Sequence, residues 1–302
     1  LQVITWCIDK KIPIILMSES TAWDFKRVWW REKIKKWILS TIDAAIVGDK
    51  PHIDYLCQLG FPQKRIFLGY DVVDNNYFES YTKSAKLDKT KVRHQIGIHK
   101  PFFLASSRFI EKKNLPLLIK AYAAYRGSAI SDPWDMVILG DGPLKNSLEQ
   151  LRDQLELTES LHFPGFVQYD NLPKYYCLAE VFVHASTTEQ WGLVVNEAMA
   201  SGLPVIVSNR CGCAADLVSN SENGFLFDPF DCGELIEKLL LISSDRVNRY
   251  ELAKTSSKII SQWGPERFSK GLKNACDLAM QAQRPSSGLI LRPFLTSLSI
   301  YL

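Results

Sequence analysis

Short apolar runs rich in β-branched and aromatic residues alternate along this chain with longer stretches whose apolar residues recur at helical spacing. IPIILMS (12–18), DAAIV (43–47) and Arg65–Leu68 read as strands, separated by a basic, tryptophan-rich helix over 23–42 and a short helix over Pro51–Leu59. A second series starts at Pro101: the strand FFLAS, the helix LPLLIKAYAAYR, the strand MVILG (136–140), the helix LKNSLEQLRDQL, a short strand at Leu161–Phe163 and a helix at Leu172–Leu178. Strands joined in this order need helical crossovers, so the alternation predicts α/β architecture with parallel sheets covered on both faces. Residues 83–100 are polar and lysine-rich and suit a linker with a short helix.

The series continues through VFVHAS (181–186), TTEQWGLVVNEAMASG and LPVIVS (203–208). This is strand, loop, helix and strand, with Gly202 at the helix C-cap and Pro204 just beyond. Two glutamates bracket the apolar middle: Glu189 in the loop after the strand and Glu197 about two turns inside the helix. Gly192 lets the backbone approach a ligand closely where the loop opens onto the helix N-terminus, whose free N–H groups favour anions. Phe225–Phe227 gives a further strand and CGELIEKLLLIS a further helix.

At 302 residues the chain suggests two domains, and 46% apolar with 23% charged residues is ordinary globular composition. A net charge of +3 is too small to argue for nucleic acid. The seven cysteines are scattered and contain no C-x-x-C pair, so the thiols are read as reduced and the protein as cytoplasmic. No apolar run reaches the ~18 residues of a membrane span, and the opening LQVITWCIDKK lacks a charged leader segment.

Three further motifs carry chemistry. Ser107–Asn114, SRFIEKKN, follows a strand end, where ligands bind in parallel α/β sheets. Arg108 and Lys113 there could hold a diphosphate, or could belong to a solvated charged loop. Gly140-Asp141-Gly142-Pro143 lacks the third glycine of a dinucleotide fingerprint and reads as a tight turn allowing close backbone approach. In Leu161–Pro173, LHFPGFVQYDNLP, the Gly-Phe-Val segment with Phe166 and Val167 could line a flat base or plug the core.

With the Glu189–Glu197 stretch and NGFLFDPFD, these motifs resemble the C-terminal half of family 4 glycosyltransferases of the GT-B fold, over about Ile42–Gln283. The resemblance implies two Rossmann-like domains: an incomplete N-terminal one over 1–82, a donor-binding one over 83–264, a terminal helix over 265–283 packing back toward the first, and a tail over 284–302. It implies that Arg108 and Lys113 grip the donor diphosphate, Glu189 binds hydroxyls of the transferred sugar and Glu197 the ribose. The Trp191–Val194 backbone (Trp191, Gly192, Leu193, Val194) would meet the phosphates, and Gly140, Gly142, Phe166 and Val167 would complete the donor site. The implied reaction is retaining sugar transfer from a nucleotide-diphosphate sugar, with UDP favoured, to a sugar or glycolipid acceptor. No cofactor and no metal are expected, and no D-x-D motif is present. Polysaccharide or glycolipid synthesis on the cytosolic face is the family-level expectation.

The chain departs from the family pattern in places. Trp191 replaces the usual phenylalanine, and Cys211-Gly-Cys213-Ala214-Ala215-Asp216 replaces a glycine-rich loop ending in glutamate. About 80 residues precede the linker, against ~100–150 for an ordinary domain, without the family's early Gly-rich loop or acceptor-side histidine. His52 lies in the wrong segment to supply that histidine. An N-terminally truncated acceptor domain is therefore expected, and with it an alternative to the enzyme: an inactive nucleotide-sugar-binding fragment. A Rossmann dehydrogenase is disfavoured because no G-x-G-x-x-G occurs.

Two features stay open. Within Phe25–Ile38, Trp30, Ile34, Trp37 and Ile38 form an apolar face and Arg27, Arg31 and Lys35 a basic one. This helix either packs its tryptophans on the sheet or makes peripheral contact with an anionic membrane. His184 either faces the donor sugar or is a hydrogen-bonded core histidine.

Overall fold

The computed structural model describes residues 1–85, 88–129 and 132–281; the tail expected over 284–302 lies outside the described residues. The chain forms α1 (Gln2–Asp9), β1 (Ile15–Ser18), α2 (Trp29–Leu39), β2 (Ala44–Val47), α3 (Lys50–Gln58) and β3 (Ile66–Leu68). There follow α4 (Asn75–Ala85), α5 (Lys89–Ile96), β4 (Phe102–Ser106), α6 (Leu115–Ser128), β5 (Asp135–Leu139), α7 (Lys145–Gln154) and β6 (Leu161–Gly165). The series ends with α8 (Leu172–Tyr176), β7 (Val181–His184), α9 (Leu193–Ala200), β8 (Val205–Ser208), α10 (Ala214–Leu217), β9 (Gly224–Phe227), α11 (Cys232–Ser243), α12 (Arg249–Ile260) and α13 (Pro265–Gln281). All strand pairs are parallel, as the alternation requires.

The chain divides into two units. The first comprises Leu1–Asp71 and the described residues from Pro265 onward; the second is Val72–Gly264. In the first unit a three-stranded sheet has the order β1-β2-β3. One face of β2 packs Ala45 and Val47 with Tyr55, Leu56 and Phe61, and the other packs Ala44 against Ala275 and Ala279 of α13. Small residues let α13 lie close: a Cβ at Gly271 would stand 1.9 Å from the Leu68 carbonyl oxygen. His52 is fully buried, and the Asp49 N–H donates to its Nδ1 at 3.3 Å, so it caps α3.

In the second unit a six-stranded sheet runs β6-β5-β4-β7-β8-β9. Alternation along each strand sorts side chains into two cores, one on each face. Phe102, Leu104, Val137, Leu139, Phe182 and Val205 join one core with residues of α4, α8 and α9. Phe103, Ala105, Met136, Ile138, Val181 and Val183 join the other with residues of α6 and α11. Residues 72–82 belong here rather than with the front domain, where the sequence placed them. Phe78 of α4 is fully buried and meets the Tyr176 ring edge-on at 5.8 Å, which ties α4 to this sheet.

The α2 helix, Trp29–Leu39, is shorter than the expected 23–42. Ile34, Trp37 and Ile38 are half-buried, but Trp30 is exposed with Trp29 rather than joining them. Arg27 pairs with Asp24, and Lys35 donates to Glu32 at 2.9 Å and Tyr55 at 2.7 Å, so these two cations do not form a free basic face.

Candidate functional site

The strand order of the second unit reverses between β4 and β7. Loops leaving the carboxyl ends of these two strands diverge, and in open α/β sheets the crevice between them is where ligands bind. The β4 loop carries Arg108–Asn114, and the β7 loop carries Ala185–Gly192 before entering α9. Thr187 stitches the loops together, its N–H donating to the Lys112 carbonyl at 2.9 Å.

Across this seam the Lys113 ammonium pairs with Glu189 Oε2, and Lys112 Nζ lies 3.2 Å from Oε1. The Lys113 and Glu189 side chains are each only 12% exposed. His184 Nε2 stands 3.7 Å from Glu189 Oε2 and 3.2 Å from Ser186 Oγ. Burial alone would raise the Glu189 carboxyl, but His184 and the Lys113 charge outweigh it and hold the group well below the usual carboxylate range. Lys113 contributes both its charge and a hydrogen bond to that lowering. Burial pushes the His184 ring down. His184 is thus both a buried histidine and a neighbour of the site. Glu189 is ionised under two ammonium groups, leaving the seam net positive. Arg108 is exposed on the same loop, and its guanidinium makes no hydrogen bond or ion pair among the described residues.

Glu197 sits apart from this cluster, on the fifth residue of α9 rather than two turns in. Its Oε2 accepts a 2.7 Å hydrogen bond from the Tyr176 hydroxyl. Burial pushes its carboxyl up to about 7, against the opposing pull of that bond. It is therefore a buried carboxyl held partly protonated near neutral pH. Gly192 is the N-cap of α9 with φ +108, no side chain caps the helix, and Leu193 and Val194 form its first turn. A Cβ on Gly192 would stand 3.6 Å from both His184 Nε2 and Cys213 Sγ, so the cap lies beside the Glu189 cluster.

Other expected donor-site residues have different local roles. Trp191 is buried, packs on Trp263 at 5.1 Å and donates Nε1–H to Asn196 at 2.9 Å, so only its backbone can face the crevice. The space beside Gly140 and Gly142 is filled by protein: Cβ atoms there would stand 1.8 Å from the Ser107 carbonyl oxygen and 2.7 Å from that of Phe109. These glycines bring the β5 loop against the β4 loop. Phe166 is exposed just after β6, while Val167 packs on the core. Tyr169, in the next segment, stacks on Tyr77 at 5.1 Å.

Sequence reasoning missed Lys112, Ser186 and Tyr176. Lys112 adjoins Lys113 but was left unassigned, and Ser186 two residues beyond His184 was a readable signal. Tyr176 had none, because its partner Glu197 lies 21 residues away. Among the described residues no three His, Cys, Asp or Glu side chains converge as metal ligands.

Two units built on parallel sheets, the second with its site at a Rossmann-type switch point, define a protein of the GT-B fold class. The sequence profile of the family "Glycosyl transferases group 1" matches residues 88–260, more than half of the chain, and the chain belongs to that family. It is 32% identical over 254 residues to the sulfoquinovosyl transferase SQD2 of Arabidopsis thaliana, covering 81% of this chain and 46% of that protein. It is 29% identical over 197 residues to the alpha-monoglucosyldiacylglycerol synthase of Acholeplasma laidlawii, covering 64% and 47%. The chain thus spans about half the length of these curated relatives. Its fold resembles Anabaena HepE solved with UDP and glucose, with a TM-score of 0.73 at 21% identity over 90% of this chain and 73% of that one. At that identity the likeness is one of fold.

Proposed function

We propose that the protein is a retaining family 4 glycosyltransferase. It would move a sugar from a nucleotide-diphosphate sugar, with UDP the expected nucleotide, to a saccharide, lipid-linked or small-molecule acceptor. The observation that carries this reading is the pairing of Glu189 with Lys112 and Lys113 across the β4–β7 switch point, beside an uncapped helix whose fifth residue is Glu197.

In this reading Lys113 and Glu189 meet where the donor changes from diphosphate to sugar. The ammonium takes the phosphate, and the carboxylate accepts from sugar hydroxyls. The first turn of α9 offers backbone N–H groups to the phosphates, and Glu197 accepts the ribose hydroxyls. When the anomeric carbon–oxygen bond breaks, the diphosphate leaves with the bonding pair. Arg108, Lys113 and the α9 terminus stabilise the charge that develops, so the reading asks for no metal. Support for UDP comes from HepE, solved with UDP and glucose. Support for a glycolipid or other sugar acceptor comes from the names of the two relatives. The work is assigned to polysaccharide or glycolipid synthesis in the cytoplasm.

Calorimetric titration with UDP and, separately, GDP tests this, repeated on Arg108→Ala and Glu197→Ala. Saturable binding of UDP is expected, weakened about tenfold or more by either substitution. A folded chain that binds neither nucleotide, or binds equally well with both substitutions, overturns the assignment of these residues.

A further inference from the structure

Glu197 is half-buried, and among the described residues no cation pairs with it. What holds it is a tyrosine. Tyr176 closes α8, is fully buried and donates to Glu197 Oε2 at 2.7 Å. Its ring meets Phe78 edge-on at 5.8 Å and Phe182 at 5.8 Å with a tilt of 43°. Close packing on two rings leaves the phenol oxygen one place to be. Burial, and after it the Glu197 charge, push the phenol well up, so the hydroxyl stays a donor. Ser106, the last residue of β4, turns its own hydroxyl to the same phenol. A chain of hydroxyls thus runs from the end of β4 through Tyr176 to Glu197, and each bond in such a chain strengthens the next. A stiff ring fixes a long, rotamer-rich carboxylate.

We propose that Tyr176 is a positioning residue that makes Glu197 a selector for ribose over 2′-deoxyribose in the bound nucleotide. The inference rests on the donor-site reading above. With Oε2 held by Tyr176, Oε1 is the oxygen left for the ligand. An unanchored glutamate would have to be ordered as the nucleotide binds, and that ordering weakens binding. The Tyr176 bond also favours the ionised carboxyl against burial, and an ionised carboxylate accepts more strongly from hydroxyls than a neutral one. A site built around a hydroxyl rejects the analogue that lacks it, because its own acceptor is left unpaired. Tyr169, in the turn before α8, also borders the carboxyl: burial first and the Glu197 charge second raise its phenol. The hydrogen bond to Glu197 belongs to Tyr176.

Calorimetric titration of the full chain with UDP and with 2′-deoxy-UDP, repeated across pH, tests this on the parent, Tyr176→Phe, Glu197→Ala and the double variant. Phenylalanine keeps the ring that packs on Phe78 and Phe182, so circular dichroism of Tyr176→Phe should match the parent. The parent should prefer UDP to 2′-deoxy-UDP about tenfold. Tyr176→Phe should weaken UDP about tenfold and the deoxy analogue far less, so that the preference collapses. The pH at which UDP affinity levels off should move upward from the parental value of about 7, because the variant loses the bond that favours ionisation. In the Glu197→Ala background Tyr176→Phe should change nothing further. A tyrosine that only supports the fold would weaken both nucleotides alike and add to the effect of Glu197→Ala, and either result overturns the proposal. Equal affinity of the parent for the two nucleotides overturns it without any variant. A folded parent that binds no UDP overturns the donor-site reading itself, whereas UDP binding with an unchanged preference in Tyr176→Phe overturns only the role given to Tyr176.

Discussion

At the scale of single residues, Glu197 offers the clearest test. Burial lifts its carboxyl from an ordinary 4.5 to about 7. The folded state thus holds this proton more tightly than the unfolded chain. Its contribution to stability is complete below 4.5 and is lost as pH rises through about 7. Glu197→Gln keeps an acceptor for Tyr176 but cannot ionise. We predict that it matches the parent in acid and exceeds it by roughly 3 kcal/mol above neutrality, measured by urea unfolding across pH. If ribose hydroxyls bind the ionised form, parental UDP affinity should also rise with pH up to about 7 while the Gln variant shows less dependence. The sequence made both glutamates legible because they bracket one strand–helix unit. The company of Glu189 was only half legible. Lys113 lies 76 residues away and meets it because β4 and β7 are neighbours. Nor could spacing tell that Trp191 turns inward, since Asn196 lies in α9 and Trp263 in the turn between α12 and α13.

At the scale of elements, the turn after β5 is more constrained than its tight-turn pattern implied. Gly140 has φ +132 and faces the Ser107 carbonyl, so Gly140→Ala brings both strain and a backbone clash. It should cost about 3 kcal/mol or more. Gly165 has φ +86 with nothing within 4 Å of its missing Cβ, so Gly165→Ala should cost only about 1 kcal/mol. Urea midpoints separate the two, and equal losses would refute the close approach of the β4 and β5 loops. The repeated strands of the second unit were readable because each is short, β-branched and bounded by turn residues. The α4 helix was not, since NNYFESYTKSA is mostly polar and its one fully buried aromatic, Phe78, gives little periodicity. For that reason the polar pattern points to a later boundary than the division at Asp71/Val72. The α12 helix, RYELAKTSSKII, escaped for the same reason.

At the scale of the whole molecule, the first unit is discontinuous, since α13 returns to the sheet of β1, β2 and β3 after the second unit is complete. Gly271→Val would drive a side chain into the Leu68 carbonyl, 1.9 Å from the Cβ position. We predict a loss of about 3 kcal/mol confined to the first unit. A chain ending at Gly264 should lose the cooperative unfolding of that unit altogether, with the second unit melting as before. Scanning calorimetry would show this, and an unchanged first unit would mean that α13 is dispensable to it. The same connectivity sets an order for synthesis on the ribosome. Residues of the first sheet emerge before the second unit, yet the helix that covers one of its faces is made only after that unit. Val72–Gly264 can therefore fold while the earlier strands still wait with Ala44 and its neighbours uncovered. During that interval the nascent chain carries a finished second unit behind an unfinished apolar sheet, which makes the first unit the one for a chaperone to guard.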